Sequence, residues 1–201
     1  SQELAKWDKM LRLGAEIYNN LPYRSTKMYL AVFAAMRTGN PHAFDIGTAD
    51  GNFLYQIIQM DLEIRRITVE TCAIFPAYKR QKSYLLAGIM LDDVSNYAMM
   101  YQVQAVKEDG TYHKGMAGFL EEQHIVQVPL AVLTEWESLH CPRNEIYIVE
   151  NPSIFAMLCG KEEANQKGKA YMCMNGQPRL AGLMALDLLA KSETRVYYAG
   201  D

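Results

Sequence analysis

The sequence predicts an α/β protein: a mainly helical N-terminal part followed by a parallel sheet. Three observations carry this. Short unbroken apolar runs, Ile146-Tyr147-Ile148-Val149, Tyr171-Met172-Cys173-Met174 and Val196-Tyr197-Tyr198, alternate with helix-forming stretches near the C-terminus. Strands buried on both faces of a parallel sheet read as such runs. The N-terminal part instead carries apolar residues at helical spacing. Finally, 50% of the 201 residues are hydrophobic and the net charge is only −3, a globular balance that excludes bulk disorder. A chain of this length buries about 70% of its unfolded surface and needs no staples. With 13 glycines and 7 prolines, a collagen-like repeat is excluded.

Residues 2–19 place Leu4, Trp7, Leu11, Ala15 and Tyr18 on one helical face, with Trp7 expected in the core. Asn19-Asn20-Leu21-Pro22 ends that helix. A second is expected over 25–37, capped by Ser25, with a stripe of Met28, Val32, Phe33 and Met36. Gly39-Asn40-Pro41 stops it, and 41–45 reads as a loop that holds His42 and Asp45. Helices follow over 52–60 and 79–91. Residues 97–106 are rich in strand formers and close on the turn Glu108-Asp109-Gly110. The spacing then predicts a helix over 115–122, a strand over 125–128 and a helix over 130–139 with Trp136 on its apolar side.

Behind Cys141-Pro142 the pattern changes, so a boundary is drawn there: 1–141 mostly helical, 142–201 α/β. The strands named above are separated by helices over 152–158 and 178–191, and 162–169 is a polar loop. The chain begins at Ser1 and stops at Asp201, directly behind a strand-like run, which reads as a cut through a domain.

Charge and cysteine usage narrow the function classes. With 20 basic and 23 acidic side chains, binding to nucleic acid by phosphate neutralisation alone is disfavoured. Any DNA contact is expected to be local or metal-assisted. The nearest basic cluster, Lys79-Arg80 with Lys82, reads as a solvated helix start. Cys72, Cys141, Cys159 and Cys173 lack zinc-site spacing, and Cys159 and Cys173 read as small core residues. The N-terminal stretch is polar and amphipathic, unlike a secretory signal. No apolar run reaches the ~18 residues of a membrane span. The expected compartment is the reducing cytoplasm, with no membrane partner.

In parallel α/β sheets, ligands gather at the carboxyl ends of the strands. The first such end is Glu150-Asn151-Pro152. Asn151 suits a helix cap and Pro152 a first helical turn, so Glu150 falls on the corner that faces a ligand. The second is Asn175-Gly176-Gln177-Pro178, where Gly176 permits a tight turn and the following helix start favours an anion. The third is Gly200-Asp201. Two carboxylates and a glycine-bearing turn suit Mg²⁺, which takes hard oxygen ligands and shares substrate phosphate. A dinucleotide fold would need a glycine fingerprint behind its first strand, and ENPSIFAMLCG has none.

The stretches 146–155 (IYIVENPSIF), 174–180 (MNGQPRL) and 196–201 (VYYAGD) resemble the Toprim-type C-terminal domain of the bacterial DUF2399 family. Residues 39–45 (GNPHAFD) and 84–95 (YLLAGIMLDDVS) are similar to the region preceding it. That family is itself similar to JetD, the nuclease subunit of Wadjet plasmid-defence systems, and more distantly to the A subunit of type IIB topoisomerases. The resemblance implies that Glu150 is a catalytic residue and metal ligand, and that Asp201 is the first of a paired acidic motif. It implies a truncated Toprim-like (Rossmann-like) sheet and a DNA hydrolase. Such a fragment is expected to hold little or no metal and to be inactive alone. Asn151, Gly176 and Gln177 are expected near phosphate or DNA, with Asn151 also read as a structural cap. Two functions follow. One is part of a Mg²⁺-dependent endonuclease that cuts double-stranded DNA with SMC-like ATPase subunits. The other is a non-catalytic module that binds DNA or a partner in such a complex.

Overall fold

A computed structural model describes residues 2–23, 27–69, 76–91, 96–160, 168–176 and 179–200. The chain divides into two compact units, Ser1–Asp92 and Asp93–Asp201. The boundary expected at Pro142 falls inside the second unit, because strands on both sides of it share one sheet.

The N-terminal unit holds α1 (Gln2–Asn19), β1 (Met28–Tyr29), α2 (Leu30–Thr38), α3 (Ala49–Ile64), α4 (Pro76–Leu86) and β2 (Ile89–Met90). Thr48 caps α3: its hydroxyl accepts the Gly51 amide at 2.9 Å, satisfying a donor that no helical carbonyl reaches. Phe33, Phe44, Leu54, Ile58, Tyr84 and Ile89 form the core. The helix predicted over 79–91 begins and ends earlier, and its last residues become β2, which pairs with β1 in parallel. The second helix starts at Leu30; its expected cap, Ser25, lies outside the described residues.

The spacing on α1 holds, yet its burial does not. Trp7 is 57% exposed, and of this helix only Ile17 reaches the core. Trp7, Met10 and Leu11 instead border an open apolar groove with Phe53, Met60 and Ile64 of α3.

The C-terminal unit holds β3 (Tyr97–Tyr101), β4 (Gln104–Lys107), α5 (Lys114–Glu121), β5 (Val126–Pro129), α6 (Leu130–Leu133) and β6 (Trp136–His140). A 3₁₀ turn, Pro142–Asn144, leads to β7 (Glu145–Val149), α7 (Pro152–Cys159), β8 (Ala170–Cys173), α8 (Leu180–Lys191) and β9 (Arg195–Ala199). Two predictions are corrected here. The single strand expected over 97–106 is two strands in different sheets, broken where Gln102 takes a φ of 56°. The helix expected over 130–139 is one turn only. From Trp136 the segment pairs antiparallel with β4, with Trp136, Ser138 and Leu139 buried and Glu137 and His140 exposed.

The main sheet runs β5-β3-β8-β7-β9. β8, β7 and β9 are mutually parallel, as predicted, and β3 enters antiparallel beside β8. On one face, Tyr101, Tyr171, Cys173 and Val149 pack with Phe155 and Cys159 of α7. On the other, Ala98, Met100, Ile146, Ile148, Ala170 and Met172 are all buried. β8 and β9 flank β7 on opposite sides. Right-handed crossovers therefore put α7 and α8 on opposite faces of the sheet. The winding reverses between β7 and β9. β9 is an edge strand, exposed along its whole length.

Candidate functional site

In doubly wound sheets, ligands bind outside the carboxyl ends of the strands where the winding reverses. Here those ends belong to β7 and β9. Their register pairs Ile148 with Tyr198 and Val149 with Ala199, which brings Glu150 level with Gly200.

Glu150 is half-buried on the corner between β7 and α7, as the sequence predicts. Its main chain is fixed first. Its carbonyl accepts the Gly176 amide at 3.0 Å and the Cys173 thiol at 3.5 Å. Alongside, the Met174 amide binds the Val149 carbonyl at 2.9 Å, so the ends of β7 and β8 are locked together. Gly176 does this at a φ of 81°, directly behind Asn175 at 54°. Two successive left-handed residues reverse the chain tightly, and glycine takes this conformation without strain. The Gly176 amide is thus committed to Glu150.

The Glu150 carboxylate is held from β9. Tyr198 donates its hydroxyl to Oε1 in a short hydrogen bond. That bond, with some burial, pushes the Tyr198 phenol up to about 12. The Gly200 main chain also comes close: a Cβ at Gly200 would stand 2.6 Å from Glu150 Oε1 and 2.8 Å from its Cδ. A side chain there would displace the Glu150 carboxylate or the Tyr198 ring.

Asn151 acts as the cap of α7. Its Oδ1 accepts the amides of Ser153 at 2.8 Å and Ile154 at 3.3 Å. The first amide-bearing turn of α8 is also served, since Ala181 donates to Asn96 Oδ1 at 2.9 Å. Gln177 and Asp201 lie outside the described residues. Glu150, Asn151 and Gly176 therefore meet, while Tyr198 and Gly200 are contributors that the sequence reading missed. Their signal was present in VYYAGD, three residues and one residue before the final position, but only a β7–β9 pairing gives it meaning.

Among the described residues, no three His, Cys, Asp or Glu side chains gather closely enough to enclose a metal. Glu150 offers one hard oxygen ligand, and Oε2 accepts no hydrogen bond from the described residues. That set fits a hydrated cation such as Mg²⁺, which uses one or two carboxylates and keeps water or substrate oxygen for the rest. It does not fit a soft transition metal, which takes thiolate or imidazole. Cys173 is no ligand candidate: burial raises its thiol pKa, and its sulfur accepts the Asn175 amide at 3.4 Å.

His42 and Asp45, the other pair noted in the sequence, bond at 3.1 Å on an exposed turn. Arg80 lies over the Tyr55 ring and Lys82 over Tyr78, both partly engaged in packing.

Residues 126–201 match the family model described as Protein of unknown function C-terminus (DUF2399). Residues 9–105 match the one described as Protein of unknown function N-terminus (DUF3323). No curated protein matches the chain.

Proposed function

We propose that this chain, with a DUF3323-type N-terminal region and a DUF2399-type C-terminal region, is part of a Mg²⁺-dependent DNA endonuclease subunit. One observation carries the reading: Glu150 sits where the sheet winding reverses, level with Gly200 directly behind β9. A carboxylate at such a strand end is the kind of hard oxygen donor that a hydrated cation shares with a phosphodiester.

In this reading Glu150 holds the cation through a carboxylate oxygen, and the locked β7–β8 ends fix its main chain. When bound, Mg²⁺ supplies Lewis-acid stabilisation of charge developing on the phosphodiester and lowers the pKa of bound water. Glu150, half-buried at its corner, would be the carboxylate that holds the cation and could also accept a proton from an attacking water. The net charge of −3 agrees with DNA contact that is local and metal-assisted. Double-stranded DNA as substrate, SMC-like ATPase subunits as partners and a role in plasmid defence enter through the resemblance of the three strand-end motifs to the Toprim-type domain.

The test is Glu150→Ala in the full-length protein with its partners, assayed on circular DNA with Mg²⁺. Loss of cutting with DNA binding intact is the expected result. Cutting at the wild-type rate would reject the enzyme reading and leave a binding module, whose function would depend on its docking surfaces and not on Glu150.

A further inference from the structure

The geometry points to Tyr198 as the positioning residue of Glu150: its hydroxyl occupies Oε1, leaving Oε2 as the oxygen offered to a hard cation. This rests on the reading of Glu150 as a cation ligand and goes beyond it by naming what aims the carboxylate.

The argument is one of freedom removed. A glutamate side chain has three rotatable bonds, and an unrestrained carboxylate on a corner samples many directions. Here three contacts narrow the choice. The backbone of Glu150 is pinned by the Gly176 amide at 3.0 Å. Oε1 is tied to the Tyr198 hydroxyl. On the Gly200 side there is no room for a side chain unless the carboxylate moves, since a Cβ would stand 2.8 Å from Cδ. Tyr198 comes from a different strand, yet the register fixes its place, since it pairs with Ile148 two residues before Glu150 on the same sheet face. Outer partners that orient metal-binding carboxylates in this way are worth roughly 10–100-fold in metal affinity. Tyr198 is more than half exposed, so its hydroxyl contributes little to packing, and Tyr198→Phe keeps the ring.

The experiment measures Mn²⁺ binding by electron paramagnetic resonance in the full-length protein, as a spin-active substitute for Mg²⁺. Four chains are compared: wild type, Tyr198→Phe, Gly200→Ala and Glu150→Gln. The expected result is roughly tenfold weaker binding in Tyr198→Phe, with thermal unfolding unchanged. Gly200→Ala should weaken binding similarly, because its methyl group would meet both the carboxylate and the Tyr198 ring and disturb the bond between them. Glu150→Gln should bind more weakly than either. Wild-type affinity in both Tyr198→Phe and Gly200→Ala, with binding lost in Glu150→Gln, would overturn the positioning role and leave the cation site standing. Wild-type affinity in Glu150→Gln would overturn the site itself. If Tyr198→Phe fails to fold, Gly200→Ala alone decides.

Discussion

Tyr147 and Tyr197 stand in register on neighbouring parallel strands, with ring centroids 5.0 Å apart and planes 14° from parallel. They end a row of four tyrosines that crosses the sheet. Tyr101 lies 6.3 Å from Tyr171, and Tyr171 lies 5.9 Å from Tyr147. Burial falls along the row, from Tyr101 and Tyr171 under α7 to Tyr197 on the bare edge.

That gradient predicts unequal costs. Tyr171→Ala should destabilise the unit by about 3–5 kcal/mol, the usual loss for a buried aromatic. Tyr197→Ala should cost about 1 kcal/mol, chiefly its stacking on Tyr147. Urea unfolding of both variants measures the difference. Equal costs would mean the edge ring is as tightly packed as the buried one.

The Asn151 cap should be separable from any role in chemistry. Asn151→Ala removes the acceptor of two amides and should cost about 1 kcal/mol. Asn151→Asp keeps the acceptor and should stay within a few tenths. Thermal unfolding checks both, and a similar loss in both variants would argue that the amide group, not the cap, matters.

Burial pushes the thiols of Cys141 and Cys159 up to about 12. Only the thiolate reacts, so at pH 8 iodoacetamide should modify neither in the folded protein and both after unfolding. Peptide mass spectrometry distinguishes them from Cys72, which lies outside the described residues. The sign for stability follows. A pKa raised on folding favours the protonated native state. Stability from these thiols is complete below about pH 9 and declines as pH climbs towards 12. Rapid labelling of native Cys159 would contradict the buried environment.

Asp109 titrates in the opposite sense. The Thr111 hydroxyl donates to Oδ1 at 2.6 Å and the Thr111 amide at 2.9 Å, holding the carboxyl at about 2. Lys107 adds an ion pair at 3.3 Å. A depressed pKa means the turn is stabilised at neutral pH and loses that help as pH falls from about 4 to 2. An NMR titration of the carboxyl carbon should show a midpoint near 2 in wild type and a higher one in Thr111→Val.

The parallel strands near the C-terminus were legible because each is a continuous apolar run closed by a turn signal, and Asn151-Pro152 marked the start of α7. The same reasoning placed Glu150 on its corner. Failure came where one pattern served two elements. Residues 97–106 read as one strand, since nothing in the composition marks Gln102 as the point where the backbone turns left-handed. Leu130 to Leu139 carries enough apolar residues to look helical, and only pairing with β4 draws Trp136 into a strand. Trp7 keeps its helical spacing, yet spacing cannot tell whether a neighbouring helix closes over it. Tyr198 stayed invisible because strand order is a long-range property, and a linear reading does not say that β9 lies beside β7 and away from β8.

That order has a consequence in time. The hydroxyl of Tyr198 reaches Glu150 across 48 residues of chain. On a ribosome adding roughly 5–20 residues each second, the carboxylate would leave synthesis some 2–10 s before its partner. For that interval the first strand and its corner exist without the strand that aims them. A nascent chain is therefore expected to carry Glu150 without its Tyr198 partner until β9 has emerged.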